Sequence, residues 1–441
     1  MTLLFAGLLL LAGCTEATTD TTAEATTADG GSTETTSRPF DENEAPADAD
    51  GADSGDAQPD PDFDYDTVGY DAEPAGEALT GDRSNPDFPP PLVPIRDITS
   101  GGPEPDGIPP PDAPEFVAVQ QADEFMESDE EAIIVVEENG ITHGYPIRIM
   151  TLHELVNDDF DGSAVTVSYC PLCNSALAYR RQLGGRVLDF GTSGELYQSA
   201  MVMYDRQTKT LWSHFLGRGL VGHYAGAQLE LVPAQTVGWG SFKELYPDAL
   251  VLSQDTGFDR DYGRNPYSGY DSIDGAPITG FLASEPDPRL VPMQRIVGVL
   301  DGDMATAATL DAVASEGVLH LPDEGGASGG AGVIFHHAGL SSALDDDQVA
   351  NGVEVGQTGV FVARSEDDEA LTFEAVGDGT FVDDQTGSTW TINGRATSTA
   401  SGSPGRRTTP TRLSSNEDDR LIRRPARALG SPRTRWPATR R

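Results

Sequence analysis

Two cysteines three positions apart, Cys170 and Cys173, are the residues of this 441-residue chain whose types and spacing could most directly do chemistry. The C-x-x-C spacing lets one thiolate attack a disulfide while the second thiol resolves the mixed disulfide. The same spacing suits a metal site with two thiolate ligands, or a short structural disulfide loop. The spacing leaves all three chemistries open and favours thiol–disulfide redox.

A metal site here would need further ligands, because the chain has three cysteines in all and a single C-x-x-C pair. Imidazole nitrogens from His153, His214 or His223 could join the two thiolates in holding a transition metal ion. The alternative metal-binding set is therefore Cys170, Cys173, His153 and His214. No site for an organic cofactor is indicated.

The residues before the cysteines supply candidates for proton transfer. Residues 151–156 are predicted to form a short helix, in which Thr151 and Glu154 have the spacing of a capping box. His153 would be a proton carrier near the thiols, oriented by a carboxylate. An equally good interpretation is that Glu154 only caps the helix. The predicted catalytic set is Cys170, Cys173, His153 and Glu154.

The two thiols are expected to differ in role. Cys170 should be the more exposed thiol and the nucleophile, because it ends a predicted strand and precedes Pro171. Cys173 would then resolve the mixed disulfide. The competing interpretation is a non-catalytic surface module that binds a metal ion or a protein partner.

The elements that must position these residues are mostly strands. The alternating, β-branched run 164–169 predicts a strand that ends at Cys170. A hairpin is predicted upstream, with strands at 133–137 and 141–150, and a helix downstream at 236–245. Further strands are predicted at 175–181, 186–190, 200–204 and 250–252. The fold class is therefore predicted to be α+β and β-rich, with short helices.

Two parts of the chain resemble each other. Residues 205–212 read D-R-Q-T-K-T-L-W, and residues 383–390 read D-D-Q-T-G-S-T-W. Each follows a predicted strand that ends in phenylalanine, Phe190 or Phe373. We infer a duplicated β unit, with a first half at 92–290 that carries the C-x-x-C pair and a cysteine-free second half at 291–395.

The amino-terminal residues predict export and anchoring. Residues 1–14 are apolar and end in Leu-Ala-Gly-Cys, the pattern of a lipoprotein signal peptide whose lipidated residue is Cys14. Residues 15–91 are rich in Thr, Asp and Pro, so a disordered acidic tether is predicted. These features predict an extracytoplasmic protein at the cell surface, with a membrane as its partner through the lipid and an unknown protein partner.

Charge excludes one class of partner. The formal net charge is -44, and phosphate backbones need clustered cations, so nucleic acid is not an expected partner. So acidic a surface is typical of halophilic proteins, in which salt screens the self-repulsion. Residues 396–441 are Arg-rich instead, and a frameshift near Ala396 is one hypothesis for that change.

Several short motifs together resemble one known family. They are, in chain order, Asp106-Gly107-Ile108-Pro109, Tyr145-Pro146, His153-Glu154 with Asn157-Asp158, Tyr169-Cys170-Pro171-Leu172-Cys173, Phe190-Gly191 with Ser193-Gly194, and Met203-Tyr204-Asp205-Arg206 with Leu211-Trp212. Over residues 92–395 the combination resembles the domain-of-unknown-function family 3179 (DUF3179) of exported bacterial and archaeal proteins. The family has no established activity. Because some relatives are labelled as possible selenoproteins, the resemblance implies thiol or selenol redox chemistry.

Overall fold

The computed structural model describes residues 57–301, 304–321, 332–365 and 369–398. The predicted signal peptide with Cys14, the tether up to residue 56 and the tail from residue 399 lie outside these residues. In the described part of the chain, no helix has both the length and the apolar character needed to cross a membrane.

Strands dominate the described residues, as predicted for a β-rich α+β fold. The helices are α1 Val119–Ala122, α2 Ile147–Met150, α3 Trp239–Leu245 and α4 Leu310–Glu316. The strands are β1 Ile98–Ser100, β2 Phe116–Ala118, β3 Ala132–Glu138, β4 Ile141–Pro146, β5 Leu155–Phe160, β6 Ser163–Cys170, β7 Ser175–Arg180, β8 Gln182–Leu183, β9 Arg186–Val187, β10 Phe190–Tyr197, β11 Ala200–Asp205, β12 Leu211–Ser213, β13 Gly219–Val221, β14 Leu231–Val232, β15 Ala234–Gly238, β16 Leu250–Leu252, β17 Ile296–Asp301, β18 Met304–Thr309, β19 Val318–His320, β20 Gly332–His337, β21 Gln357–Val362, β22 Phe373–Gly377, β23 Thr380–Asp383, β24 Thr389–Thr391 and β25 Ala396–Ser398.

Three larger sheets and the two-stranded sheet β8-β9 build the first unit. The strand orders of the larger sheets are β15-β3-β4-β16-β2, β14-β7-β6-β5 and β1-β10-β11-β12-β13. The apolar side chains of β6, β7, β10 and β11 pack with those of β12 in one core cluster, which includes Phe190, Met203 and Trp212 as well as Cys170. The predicted strand that ends at Cys170 therefore forms, and its last side chain lies inside this core.

The second unit repeats this order of elements. The hairpin β17–β18, helix α4, strands β19 to β21 and strands β22 to β25 follow one another as β3–β4, α2, β5 to β7 and β10 to β13 do. The loop caps also match. Asp205 accepts hydrogen bonds from Thr208 and from the Trp212 indole at 3.0 Å. Asp383 accepts the same bonds from Thr386 and from Trp390, at 2.9 Å. The duplication inferred from the sequence is thereby confirmed.

The predicted helix at 151–156 is wrong. Helix α2 begins after Pro146 and ends at Met150, where the Thr151 hydroxyl donates to the Ile147 carbonyl at 2.8 Å. Glu154 then takes a left-handed conformation with φ 60°, which turns the chain into β5. The capping box is therefore absent, and the upstream strand ends four residues before the predicted position because Pro146 starts the helix instead.

Ordered structure begins before the predicted boundary at residue 91. Ala78 is fully buried and Phe88 nearly so, and both pack in a cluster with Val202 and Leu211. The Leu79 amide donates to the Lys209 carbonyl at 3.1 Å. Residues 57–91 thus form an irregular segment held against the first unit, and they are not part of a disordered tether.

Candidate thiol site

The two cysteines lie at the tip of the hairpin formed by β6 and β7. Cys170 pairs with Ser175, and a 3-10 turn at Pro171–Cys173 followed by Asn174 makes the connection. Asn174 has φ 45°, a left-handed conformation that asparagine tolerates better than most residues. Because proline fixes φ at the first turn position, the Pro-Leu-Cys-Asn sequence favours this tight reversal.

The two thiols are free and differ in environment. Cys170 is 1% exposed, and burial, with the neighbouring Cys173 thiol, raises its pKa well above the ordinary value. The Met201 backbone N–H donates to the Cys170 Sγ at 3.4 Å. Cys173 is only partly buried. The expected order of exposure is therefore reversed, because the last side chain of β6 faces the core while the turn carries Cys173 outward.

A chain of hydrogen bonds connects Cys173 to a buried histidine. The Cys173 Sγ lies 3.1 Å from the Ser175 Oγ, which lies 3.0 Å from the His214 Nε2. On the other side of the ring, the His214 Nδ1 lies 2.9 Å from the Ser168 Oγ. The Ser168 hydroxyl donates to the Leu177 carbonyl at 3.3 Å.

The Leu177 carbonyl sets the direction of these bonds, because a carbonyl oxygen can only accept. With the Ser168 hydroxyl donating to Leu177, the His214 Nδ1–H donates to Ser168, and the free Nε2 accepts from Ser175. The Ser175 oxygen can then accept from the Cys173 thiol. Burial lowers the pKa of His214, so the ring is neutral at rest and its Nε2 is a hydrogen-bond acceptor. The geometry therefore provides a path from Cys173 to His214.

Glu154 lies on the Cys170 side of the site. Its side chain is 7% exposed, and the Tyr267 hydroxyl donates to its Oε1 at 3.2 Å. Burial, together with the nearby Cys170, raises the pKa of Glu154 to about 8. Glu154 therefore interacts electrostatically with Cys170, and its position results from a strand start and not from a helix.

The second unit contributes to the thiol hairpin through Arg295. Its guanidinium donates to the Asn174 amide oxygen at 2.8 and 3.2 Å, and the Asn174 nitrogen donates to the Tyr169 hydroxyl at 3.1 Å, with the amide oriented by these bonds. Asp271 forms an ion pair with Arg295, and the Ser342 hydroxyl accepts from Arg295 at 2.7 Å. This network holds the hairpin tip in place.

His153 does not contribute its imidazole to the thiols. Its Nδ1 bonds to the Pro109 carbonyl at 2.6 Å, and its Nε2 bonds to the Tyr262 hydroxyl at 2.7 Å. Both ring nitrogens are therefore occupied in joining the segments around Pro109 and Tyr262. The imidazole of the thiol site is that of His214, which the sequence indicated only as a metal ligand.

The metal alternative finds no support in the geometry. Among the residues that the structure describes, no group of three or more His, Cys, Asp and Glu side chains is arranged to hold a metal ion. Cys170, Cys173 and His214 lie in one site. Both ring nitrogens of His153, however, bond to groups outside that site, and His223 bonds to the Tyr70 carbonyl at 3.4 Å. A transition metal ion is therefore not part of the function proposed below.

The duplicated unit shows which of these residues the fold itself requires. The Tyr169 amide donates to the Glu154 carbonyl in the first unit, and the His336 amide donates to the Gly317 carbonyl in the second. These two equivalent bonds align the halves. Matched positions are then Glu154 with Gly317, Ser168 with Phe335, Cys170 with His337, and His214 with Ile392. Since Gly317, Phe335 and Ile392 occupy the positions of Glu154, Ser168 and His214, the second unit adopts the same order of elements without these three buried polar side chains. The buried polar set of the first unit is therefore the candidate site.

An apolar cavity of about 230 Å³ lies beside the thiol hairpin. It is lined at the β10–β11 turn and after β12, by Tyr197, Gln198, Ala200, Met201, Ser213, Phe215 and Leu216. Phe215 and Leu216, which follow His214, are 45% and 46% exposed. Met201 belongs both to this lining and to the cluster around the cysteines. A substrate with an apolar group could contact this surface next to the sulfurs.

Sequence reasoning missed Ser168, Ser175, Tyr267 and Arg295. The first two had a signal in the sequence, because both lie within two residues of a cysteine on predicted strands, where Ser168 shares a face with Cys170. Tyr267 and Arg295 had none, because they reach the site from irregular segments far along the chain.

Comparisons with known proteins give a family and no activity. The model of a family described as a protein of unknown function, DUF3179, matches residues 105–414, which include both units. No curated protein and no solved structure matches the chain.

Proposed function

The chain belongs to the DUF3179 family, and we propose that it carries out thiol–disulfide exchange through Cys173 and Cys170. The observation that carries this proposal is the relay from Cys173 through Ser175 to His214, which has a defined direction and a neutral acceptor. A structural disulfide would need neither a base nor a partly exposed thiol. The two cysteines are free and adjacent, so both thiols are present for a two-electron reaction.

The first step forms a mixed disulfide at Cys173. The Cys173 thiol gives its proton to Ser175, whose own proton passes to the His214 Nε2. The thiolate attacks one sulfur of a substrate disulfide, so that a Cys173–substrate bond forms and the substrate S–S bond breaks. The departing thiolate takes up the proton held by His214.

The second step is resolution by Cys170. Its sulfur attacks the Cys173 sulfur of the mixed disulfide, which releases the second substrate thiol and leaves a Cys170–Cys173 disulfide. Overall the substrate disulfide is reduced to two thiols while the protein dithiol is oxidised. The reverse reaction oxidises a substrate dithiol with the same groups.

A two-phase reaction with dithiodipyridine tests this function. All variants carry Cys14→Ser, so that Cys170 and Cys173 are the two remaining cysteines. The reduced protein should release one equivalent of thiopyridone quickly and a second as the disulfide closes. Cys170→Ser should stop after one equivalent with the probe attached, and Cys173→Ser should lose the fast phase. A wild-type protein that never releases the second equivalent would contradict the proposal.

Acyl transfer by Ser175 is a second candidate, because a serine hydroxyl 3.0 Å from a histidine oriented by a third group is also a nucleophile–base arrangement. Ester hydrolysis that survives Cys173→Ser and disappears in Ser175→Ala would favour it. If neither thiol exchange nor hydrolysis occurs, the non-catalytic module that binds a protein partner remains.

We place this activity at the outer face of a membrane, with a lipid on Cys14, on the strength of the signal-like residues 1–14. Incorporation of a labelled fatty acid in expressing cells, lost in Cys14→Ser, tests the anchor. Retention of the label in Cys14→Ser would rule it out.

A further inference from the structure

Glu154 is the member of the thiol site to which the exchange reaction gives no role. Its φ of 60° is left-handed, which costs a residue other than glycine about 1–2 kcal/mol. The matched residue of the second unit is Gly317, with φ 71°. The fold therefore needs a residue at this position that accepts a positive φ, and glycine would satisfy it. The first unit carries a carboxyl there despite the strain, which indicates a function for the side chain.

Glu154 lies one strand position away from the resolving Cys170 and interacts with it electrostatically. Its backbone carbonyl accepts from the Tyr169 amide at 2.8 Å, so Cys170 is the next residue along the paired strand. The two side chains interact electrostatically, and both are buried. A carboxylate and a thiolate that interact in a dry site repel each other, so the ionised form of one disfavours ionisation of the other.

We propose that Glu154 is the proton acceptor for Cys170 during resolution, directly or through one water molecule. This proposal rests on the thiol–disulfide exchange above. The Glu154 carboxylate takes the proton of the Cys170 thiol as the Cys170 sulfur attacks Cys173. The Cys170–Cys173 bond forms, the bond between Cys173 and the substrate breaks, and the substrate leaves as a thiolate. The proton on Glu154 then passes to the departing thiolate or to water.

Other titratable groups around the pair do not compete for this role. The titratable groups that interact electrostatically with Cys170 or Glu154 include Cys173, His214, Tyr169, Tyr267 and Tyr270. Burial raises the pKa of each of the three tyrosines, so they stay protonated. His214 is bonded to Ser175 and Ser168 on the Cys173 side. Cys173 is itself in the mixed disulfide at this stage.

The two phases of the dithiodipyridine reaction separate this role from the rest of the site. In full-length protein with Cys14→Ser, Glu154→Gln should leave the first phase unchanged and slow the second by about 100-fold, the usual contribution of a positioned base. The mixed disulfide should accumulate and be detectable by mass. In the wild type the rate of the second phase should rise as pH increases through about 8, and this inflection should vanish in Glu154→Gln.

Glu154→Gly serves as the control for folding, since it reproduces the residue of the second unit at a positive φ. It should be at least as stable as the wild type and as slow in resolution as Glu154→Gln. An unchanged second phase in both variants, or an equal slowing of both phases, would overturn the role of Glu154 while leaving the exchange reaction intact. Absence of a second phase in the wild type would instead overturn the exchange reaction.

Discussion

Cys170 and Cys173 differ because the strand ends between them. Cys170 is the last residue of β6 and keeps the inward direction of that strand, whereas Cys173 belongs to the turn. Burial disfavours a thiolate at Cys170, so this sulfur needs help to ionise. The Cys173 thiol instead has a hydrogen-bond partner, Ser175, to which it can pass its proton. In the proposed exchange, burial and hydrogen bonding favour Cys173 as the attacking thiol and Cys170 as the resolving one, in the opposite order to the one expected from Pro171.

The relay to His214 can be tested at single residues. Ser175→Ala interrupts the path between Cys173 and His214, so we expect the first phase of the exchange to slow by about 100-fold at neutral pH. His214→Gln should have the same effect, and the double variant should be no slower than either one. The measurement is stopped-flow release of thiopyridone. Additive effects in the double variant would show that the two residues do not act in one path.

Glu154 should also make stability depend on pH with a predictable sign. Its pKa is raised from 4.5 to about 8 in the native protein, chiefly by burial, so the native state holds a proton that the unfolded chain has lost within that window. Stability therefore falls as pH rises from about 4.5 to about 8 and is flat beyond it. The difference in unfolding free energy between the wild type and Glu154→Gln isolates this effect. A difference that does not change with pH in this window would refute it.

At the scale of elements, the capped loops of the two units form a matched pair. Asp205 and Asp383 are fully buried and each holds a loop and a tryptophan indole. Alanine at either position leaves these donors without an acceptor, so each variant should lose about 2–4 kcal/mol in unfolding free energy. Denaturant titration measures the loss.

Asp205 and Asp383 are also expected to differ in their effect on the rate of the exchange. Strand β12 places His214 directly after its end, so Asp205→Ala should also slow the first phase of the exchange. Asp383→Ala should not, because Ile392 takes the place of His214 in its unit. An equal loss of exchange in both variants would mean that the loop caps act on the fold as a whole.

Periodicity and composition predicted the strands and the duplication, because alternation and the recurring Asp-to-Trp segment are local signals. They failed at residues 151–156, where a capping pattern suggested a helix but Pro146 had already started one. The pairing of His214 with the cysteines could not be predicted, because it depends on how two sheets pack. The comparison of Glu154 with Gly317 became possible only when the strand register had aligned the units.

At the scale of the whole molecule, acidic residues outnumber basic ones by 44. Arginines such as Arg180 and Arg206 each pair with two acids, but 28 basic residues cannot balance the charge of 72 acidic ones. Salt weakens the exposed ion pairs, but it also screens the larger repulsion among the carboxylates. The loss of repulsion therefore decides whether stability rises or falls with salt. We expect Tm to rise between about 0.1 and about 1 M monovalent chloride, over which the Debye length falls from about 10 to about 3 Å.

Screening depends on ionic strength and not on the identity of the cation, so sodium, potassium and caesium chlorides should raise Tm equally. Differential scanning fluorimetry in each salt checks this. A Tm that is unchanged or lower at high salt would show that the ion pairs outweigh the repulsion. A rise with one cation alone would indicate specific binding.

The same charge should select among substrates of the thiol site. An anionic aromatic disulfide must approach a surface of high negative potential, whereas neutral dithiodipyridine need not. The first phase should therefore be slower with the anionic probe at low salt, and the gap should narrow as salt is added, because screening shortens the range of the field. The apolar lining at Phe215 and Leu216 works in the same direction, since it offers no partner for a carboxylate. The rate with each probe is divided by the rate of the same probe with a free thiol, and the ratio of the two normalised rates measures the preference for the neutral probe. If that ratio does not depend on salt, the acidic surface does not act at this site.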